Sequence, residues 1–449
     1  MVTKIVTKKN VNPFFVIHLL LKFIRRFKIS SINKSLSFVD LFAGCGGLSL
    51  GLEESGFHPI FVNELNKNAL QSYLANRKEK YPNLVKSDFH CNDIKELVNA
   101  KRIDKLKKSI LDVYGINADK GELGLLVGGP PCQGFSGIGH RRSYSVDKEQ
   151  LPSNHLFQDM AWVVNKLKPK IFLFENVKGL LSAKWTPDGN KGEIFEDVLN
   201  TFKSIKGYQV NHALVLAKDY GAPQNRPRVL VVGVRDDIDL KPWKKIDSKI
   251  ANGFLPSPSY DAPDLIDLLG DLVDPEFQYG GSTNKYLYPA QNKFQKLLRT
   301  GIDGKIAPKG SVLTEQDYSN HSEKVIEKFT YMLKHNGKIP AHLQTKKFAQ
   351  RLLPARWGKG GPSITATSLP DDYVHFSQAR VPTVREWARL QGFPDWYKFS
   401  GSRTTGGLRR AGNPQEGIFD RELPKYTQIG NAVPVYLAEK IGLHFLKIL

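Results

Sequence analysis

Three side chains of this 449-residue chain have the types and spacing of a reaction centre. Cys132 stands in GGPPCQGFS, Gly128 to Ser136, directly after the apolar run GELGLLV. Glu175 ends a second apolar run, FLFENV, and QNRPR sets Gln224, Arg226 and Arg228 at the start of a third. A lone cysteine is commonly a buried packing residue. Here two prolines stiffen the loop before it, and its place after a strand aims it at a pocket. A hydrolytic thiol would need a histidine base beside it, and no histidine is near. A carboxyl at the end of a neighbouring strand, shielded from water, should hold its proton more tightly and be able to donate it. Thiol, acid and guanidinium together suit conjugate addition to a polarised ring. The acid serves a ring nitrogen, the arginine a carbonyl oxygen, and the sulfur attacks the adjacent carbon.

A second cluster reads as a pocket for an adenosine-like group. DLFAGCGGLSLGLEESGF, from Asp40, places Gly44, Gly46 and Gly47 between a strand and a helix. Glycines there let a ligand approach the backbone and face a helix N-terminus. The spacing is not that of the dinucleotide fingerprint, and such a turn alone is weak evidence. Glu64 strengthens it, because a carboxylate at the end of the next strand can accept both hydroxyls of a ribose. Asp93, in CNDI, can accept from an adenine amino group, with Phe42 and Ile94 on the two faces of the ring. The alternative is a structural turn with solvated acids.

The elements that must hold these residues follow from periodicity. SFVDLF, HPIFVNE, GELGLLVGG and KIFLFENV read as strands. LSLGLEESG, KNALQSYLANRKEKY, LFQDMAWVVNKLKP and EIFEDVLNTFKSI read as the helices between and after them. That alternation predicts βαβ units and a parallel sheet, with ligands beyond the carboxyl ends of the strands. YQVNHALVLA and RPRVLVVGVR follow without a helix between them, which predicts an antiparallel, hairpin-like edge. From about 240 to 355 the regularity fades, as expected of a second, irregular domain. The closing run YTQIGNAVPVYLAEKIGLHFL reads as a helix returning to the first domain.

In this order, DLFAGCGG, GGPPCQGFS, ENV, QNRPR, RLQGFP and QIGNAVP resemble the motifs of the cytosine-C5 DNA methyltransferase family, of the prokaryotic restriction–modification type. The match covers roughly 38–235 and again 360 to the C-terminus. The resemblance implies an α/β, Rossmann-like S-adenosylmethionine-dependent methyltransferase domain with a smaller, irregular target-recognition domain. On that reading 1–36 is a basic extension, 37–238 the catalytic domain and 239–395 the target-recognition domain. Residues 396–449 form a loop and a returning C-terminal helix. The resemblance makes Cys132 the nucleophile on cytosine C6, with Glu175 acting at N3 and Arg228 at O2, and Asn176 bracing the loop. It lines S-adenosylmethionine with Phe42, Gly44, Gly46, Glu64, Asp93, Ile94, Pro131, Leu156, Asn431 and Val433, and it implies no metal. Two positions depart from the family pattern. Trp387 stands where many relatives have cysteine, and Leu65 follows Glu64 where several have an aromatic.

Composition agrees with a polyanionic partner. Lys and Arg number 65 against 44 Asp and Glu, a net charge of +21, and phosphate contacts supply most sequence-independent nucleic-acid affinity. The first 36 residues hold eight of the basic residues and no acid. Three cysteines without a Cys-x-x-Cys pair argue against a disulfide framework or a zinc site, and so for a reducing, cytoplasmic setting. NPFFVIHLLLKFIRRFK is too short to span a membrane and carries its charge after its apolar core, unlike a secretory signal. Double-stranded DNA is the expected partner of a monomeric enzyme, with a restriction endonuclease as a functional rather than a stably bound companion. Within 240–355, Arg and Lys would favour a guanine-containing site. Three rival readings fit the sequence less well. A tRNA methyltransferase would carry a Cys-Phe-Thr element before RLQGFP, and none exists here. An inactive DNA-binding regulator would lack Cys132 or Glu175. A nucleotide-dependent oxidoreductase is opposed by the glycine spacing.

Overall fold

The computed structural model describes residues 33–131, 155–239, 248–259, 262–344, 349–367, 370–404 and 422–449. Its centre is a seven-stranded sheet formed by β1 (Ser37–Leu41), β2 (His58–Asn63), β3 (His90–Cys91), β4 (Leu125–Gly128), β5 (Ile171–Val177), β6 (Tyr208–Leu216) and β7 (Pro227–Arg235), in the order β3-β2-β1-β4-β5-β7-β6. The first five strands run parallel and β7 runs antiparallel to both neighbours. The strand order reverses between β1 and β4, and that is where open α/β sheets bind their ligands.

Strands buried on both faces need helices on both faces, and the pleat assigns each residue to one of them. Val39, Leu41, Leu126, Phe172 and Phe174 join a core with Ile103, Leu106, Met160, Val164 and Phe202. Their neighbours Phe38, Leu125, Val127, Ile171 and Leu173 join the opposite core with Leu48, Leu52, Leu437 and Phe445. The first layer contains α4 (Ala100–Tyr114), α5 (Leu156–Leu167) and α6 (Glu193–Lys203). The second contains α1 (Gly47–Ser55) and α12 (Val435–Phe445), the returning helix expected from the sequence. α1 and α12 meet almost backbone to backbone. A Cβ at Gly51 would lie 2.4 Å from the Ala438 Cβ, and one at Gly442 would lie 2.0 Å from the Ser55 Oγ.

The structure differs from the sequence reading at five places. The two-residue strand β3 was not among the expected strands, and the closing run forms two helices, Lys425–Asn431 and then α12, in place of one. α4 was not anticipated, although Asn99 caps it and Ile103, Leu106 and Ile110 repeat at helical spacing. The helix read as extending through Tyr81 is α2, Lys67–Ala75, and ends in a one-turn tail. The antiparallel pair is present, but its second strand lies inside the sheet between β5 and β6.

Beyond β7 the chain builds a third core from short elements. They are α7 (Leu265–Leu269), α8 (Lys293–Arg299) and α10 (Val384–Leu390), with β8 (Arg351–Leu352) parallel to β9 (Tyr373–Val374); α9 (Glu323–Lys334) packs with Val374 and Val381 in a smaller cluster beside them. α10 is the axis of the third core. Trp387 is fully buried there and donates its indole N–H to the Thr367 carbonyl at 2.9 Å. Arg389, also fully buried, forks between Asp271 and Asp395, while Arg380 pairs with Glu386. Buried charges persist only when paired and hydrogen-bonded in this way. The core also takes in Cys45 and Leu50 from the first domain. No helix among the described residues is long and apolar enough to cross a membrane.

Candidate active site

β5 and β7 bring Glu175 and Arg228 together at one end of the sheet, beside the end of β4. Gly128, the last residue of β4, pairs with Phe174 of β5, so the GGPPC loop leaves beside Glu175. A Cβ at Gly129 would sit 2.8 Å from the Glu175 Oε2. Asn176 donates its side-chain N–H to the Pro130 carbonyl at 3.0 Å. Cys132 itself lies outside the described residues. The other two thiols are buried, and burial pushes Cys45 up to about 12 and Cys91 up to about 11. Both stay protonated at neutral pH, and neither can serve as a nucleophile.

Glu175 and Arg228 form an ion pair through Oε1 and Nε, both side chains almost wholly buried. The register explains it. Arg228 lies opposite Val177 in the antiparallel β5–β7 ladder, so Glu175, two residues from Val177 on the same face, is its diagonal neighbour. The rest of QNRPR serves packing. Gln224 donates to the Leu390 carbonyl and Gln391 and accepts from the Ala366 N–H. Arg226 donates to the carbonyls of Ala366 and Gly430. Both tie the sheet to the third core and to α11 (Lys425–Asn431).

Six of the cofactor candidates, Phe42, Gly44, Gly46, Glu64, Asp93 and Ile94, follow the ends of β1, β2 and β3. Phe42 has φ +57°, a left-handed conformation that a bulky residue adopts only under constraint. Gly44 has φ +57° and open space where a Cβ would be, so a ligand can reach its backbone. Glu64 accepts from the Gly44 N–H at 2.8 Å and from the Asn66 N–H at 2.7 Å. Burial raises its carboxyl and these two bonds oppose the rise. Each carboxylate oxygen keeps room for a further donor, so the arrangement fits a ribose diol. Asp93 is exposed and caps the one-turn helix α3 (Ile94–Leu97) through the Lys95 N–H. Ile94 is buried beneath it. Lys95 pairs with Asp159 of α5, the helix that begins at Leu156. Pro131 is exposed at the end of the GGPP run, and Leu65 is 71% exposed beside Glu64. Asn431 is exposed at the end of α11, and the Val433 carbonyl lies 2.5 Å from where a Gly47 Cβ would be. Gly46, at φ +90°, has no such freedom. Its Cβ would meet Arg77, Tyr73 and Tyr397 within 3 Å.

The sequence reading passed over two buried polar residues at this site. Asn63, in the otherwise apolar HPIFVN run, accepts from the Phe42 N–H and donates to the Asn92 carbonyl, joining three strand ends. Asp40 accepts from the Ser49 hydroxyl at 2.5 Å, and Ser49 in turn meets the Tyr73 hydroxyl. Burial lifts the Asp40 carboxyl from 3.8 to about 7, opposed by the Ser49 bond and by Arg77. The folded chain therefore keeps a proton that the unfolded chain releases near pH 4. This contribution to stability is complete below about pH 4 and is lost as pH rises through 7, on the order of 4 kcal/mol in all. Asp40→Asn, which preserves the acceptor for Ser49, is expected to flatten the fall in melting temperature between pH 5 and pH 8. A wild-type melting temperature that does not fall across that range would contradict the assignment.

The family model for C-5 cytosine-specific DNA methylases matches residues 36–447. The chain is 31% identical over 428 residues to the Type II methyltransferase M.DdeI of Desulfomicrobium norvegicum, covering 91% of this chain and 88% of that one. It is 30% identical over 425 residues to the Type II methyltransferase M.PspPI of a Psychrobacter species, covering 93% and 80%. A crystal structure from E. coli, described as a DNA modification methyltransferase encoded within a prophage, superposes with a TM-score of 0.61 at 23% identity, covering 92% and 99%. That likeness concerns the fold, the Rossmann-like α/β class expected from the sequence, and family and fold together imply use of S-adenosylmethionine. With the match running nearly end to end, this chain belongs to the C-5 cytosine-specific DNA methylases.

Proposed function

We propose that this protein methylates C5 of a cytosine within one short double-stranded DNA sequence, and that in its host the mark protects DNA from a cognate restriction endonuclease. The observation that carries the chemistry is the buried Glu175–Arg228 pair beneath Gly129 of the GGPPC loop. It sets an acid and a guanidinium three residues of chain from Cys132. S-adenosylmethionine supplies an electrophilic methyl group; Phe42, Gly44, Gly46, Glu64, Asp93, Ile94, Pro131, Leu156, Asn431 and Val433 would hold it.

C5 of cytosine is a poor nucleophile. Addition of the Cys132 thiolate to C6, with Glu175 at N3 and Arg228 at O2, makes an enamine whose C5 accepts the methyl group. Loss of the C5 proton to a base then expels Cys132 and restores the ring. C6 is inaccessible in stacked DNA, so the base must be flipped out at a cost of a few kcal/mol, which phosphate contacts to the basic surface offset. Arg403, one candidate for such contacts, donates to the Tyr318 carbonyl and is partly buried. Arg409 and Arg410, the other two, lie outside the described residues.

The target-recognition domain is assigned to 239–395. It supplies none of the reacting groups, so exchanging 240–355 for the matching segment of a relative should move the methylated site and leave the chemistry intact. Methyl-labelled S-adenosylmethionine with mixed-sequence DNA, followed by bisulfite sequencing, reads both claims. The expected result is 5-methylcytosine in one short sequence, changed in the chimera. Label entering tRNA alone would overturn the function, and an unchanged site in the chimera would place recognition outside 240–355.

A further inference from the structure

Gly46 cannot carry a side chain because three groups close on it, and those groups come from opposite ends of the chain. Arg77, just past α2, is 1% exposed. Its Nε pairs with Glu53 of α1 at 2.7 Å, and its Nη2 donates to the Gly46 carbonyl at 3.2 Å. Its Nη1 donates to the Tyr397 hydroxyl at 2.9 Å and to the Tyr73 carbonyl at 3.1 Å. The guanidinium lies 3.8 Å from the Tyr73 ring centroid. The Tyr397 hydroxyl donates in turn to the Cys45 carbonyl. Two successive carbonyls of the glycine loop are thus held from behind by one guanidinium and one phenol. The segment carrying Tyr397 is itself fastened to α2. Lys398 and Asn76 exchange two hydrogen bonds, and the Ser400 N–H donates to Ser72.

We propose that Arg77 and Tyr397 are positioning residues for the cofactor: they hold the Cys45–Gly46 carbonyls so that the loop at Gly44 keeps the shape that receives S-adenosylmethionine, and the 396–400 segment thereby completes the cofactor site. This rests on the cofactor reading given above. The physical reason is that a glycine-rich loop has little conformational preference of its own, so its shape must be imposed by partners. A guanidinium that donates to four partners at once, delocalised and lying over an aromatic ring, does this where an ammonium cannot.

The test is cofactor affinity by calorimetry, with KM and kcat for methyl transfer, on wild type, Tyr397→Phe and Arg77→Lys. Tyr397→Phe deletes one hydroxyl and keeps the ring. It is expected to weaken S-adenosylmethionine by roughly three- to tenfold. Arg77→Lys keeps the charge beside Glu53 and is expected to weaken it by at least as much. In both, KM for S-adenosylmethionine rises, while kcat at saturation and affinity for DNA stay within about twofold. Lowered melting temperatures with unchanged cofactor affinity in both variants would make the clamp purely structural and overturn the proposal. Failure of the wild-type protein to bind S-adenosylmethionine would instead overturn the cofactor reading on which it rests.

Discussion

Cys132→Ser is expected to abolish methyl transfer while leaving S-adenosylmethionine affinity within about twofold of wild type. A serine hydroxyl stays protonated near neutral pH, whereas a thiol is partly ionised and intrinsically more nucleophilic, and the C5 carbon gains its reactivity only after addition at C6. No other thiol can substitute, since Cys45 and Cys91 are buried and held protonated. The groups proposed to hold the cofactor lie elsewhere, so they are expected to survive the change. Glu175→Gln should lose most of the rate, because an amide cannot deliver a proton to the ring nitrogen N3. Full turnover by the serine variant would contradict the covalent route.

Gly51→Leu is expected to lower the melting temperature by about 10 °C or more, or to prevent accumulation of folded protein. A Cβ there would stand 2.4 Å from both the Ala438 Cβ and the Val435 carbonyl oxygen. The second of these is backbone and cannot turn aside. Overpacking alone costs about 1–3 kcal/mol, and three further heavy atoms would have to part α1 from α12. That separation would also shift Val433 and Gly47, which pack against each other. Gly51→Ala should show the same effect in smaller measure. A melting temperature unchanged in the leucine variant would contradict the close packing of these helices.

The parallel sheet was legible because its strands are short apolar runs ending in glycine, proline or asparagine, and because helical periodicity returns between them. α4 escaped notice although its Ile103, Leu106 and Ile110 carry the signal, since lysines crowd the same stretch. The position of β7 was not legible. Antiparallel pairing follows from a missing crossover helix, but which neighbour β7 takes depends on the whole sheet. The Glu175–Arg228 pair depends on that placement. Asn63 and Asp40 were readable in principle as polar residues inside apolar runs. Arg77 and Tyr397 were not, because their contact joins residues separated by 320 positions and no local pattern encodes it.

The most direct measurement of the central claim uses DNA containing 5-fluorocytosine at the methylated site, incubated with the protein and S-adenosylmethionine. After addition and methyl transfer, fluorine at C5 replaces the proton that must leave, so elimination cannot follow. A denaturation-resistant complex of one protein with one DNA duplex is the expected result. It should depend on S-adenosylmethionine, be absent in Cys132→Ser, and place the cross-link on the peptide containing Cys132. Methylation of ordinary DNA at that site, with no such complex on the fluorinated substrate, would contradict the covalent route.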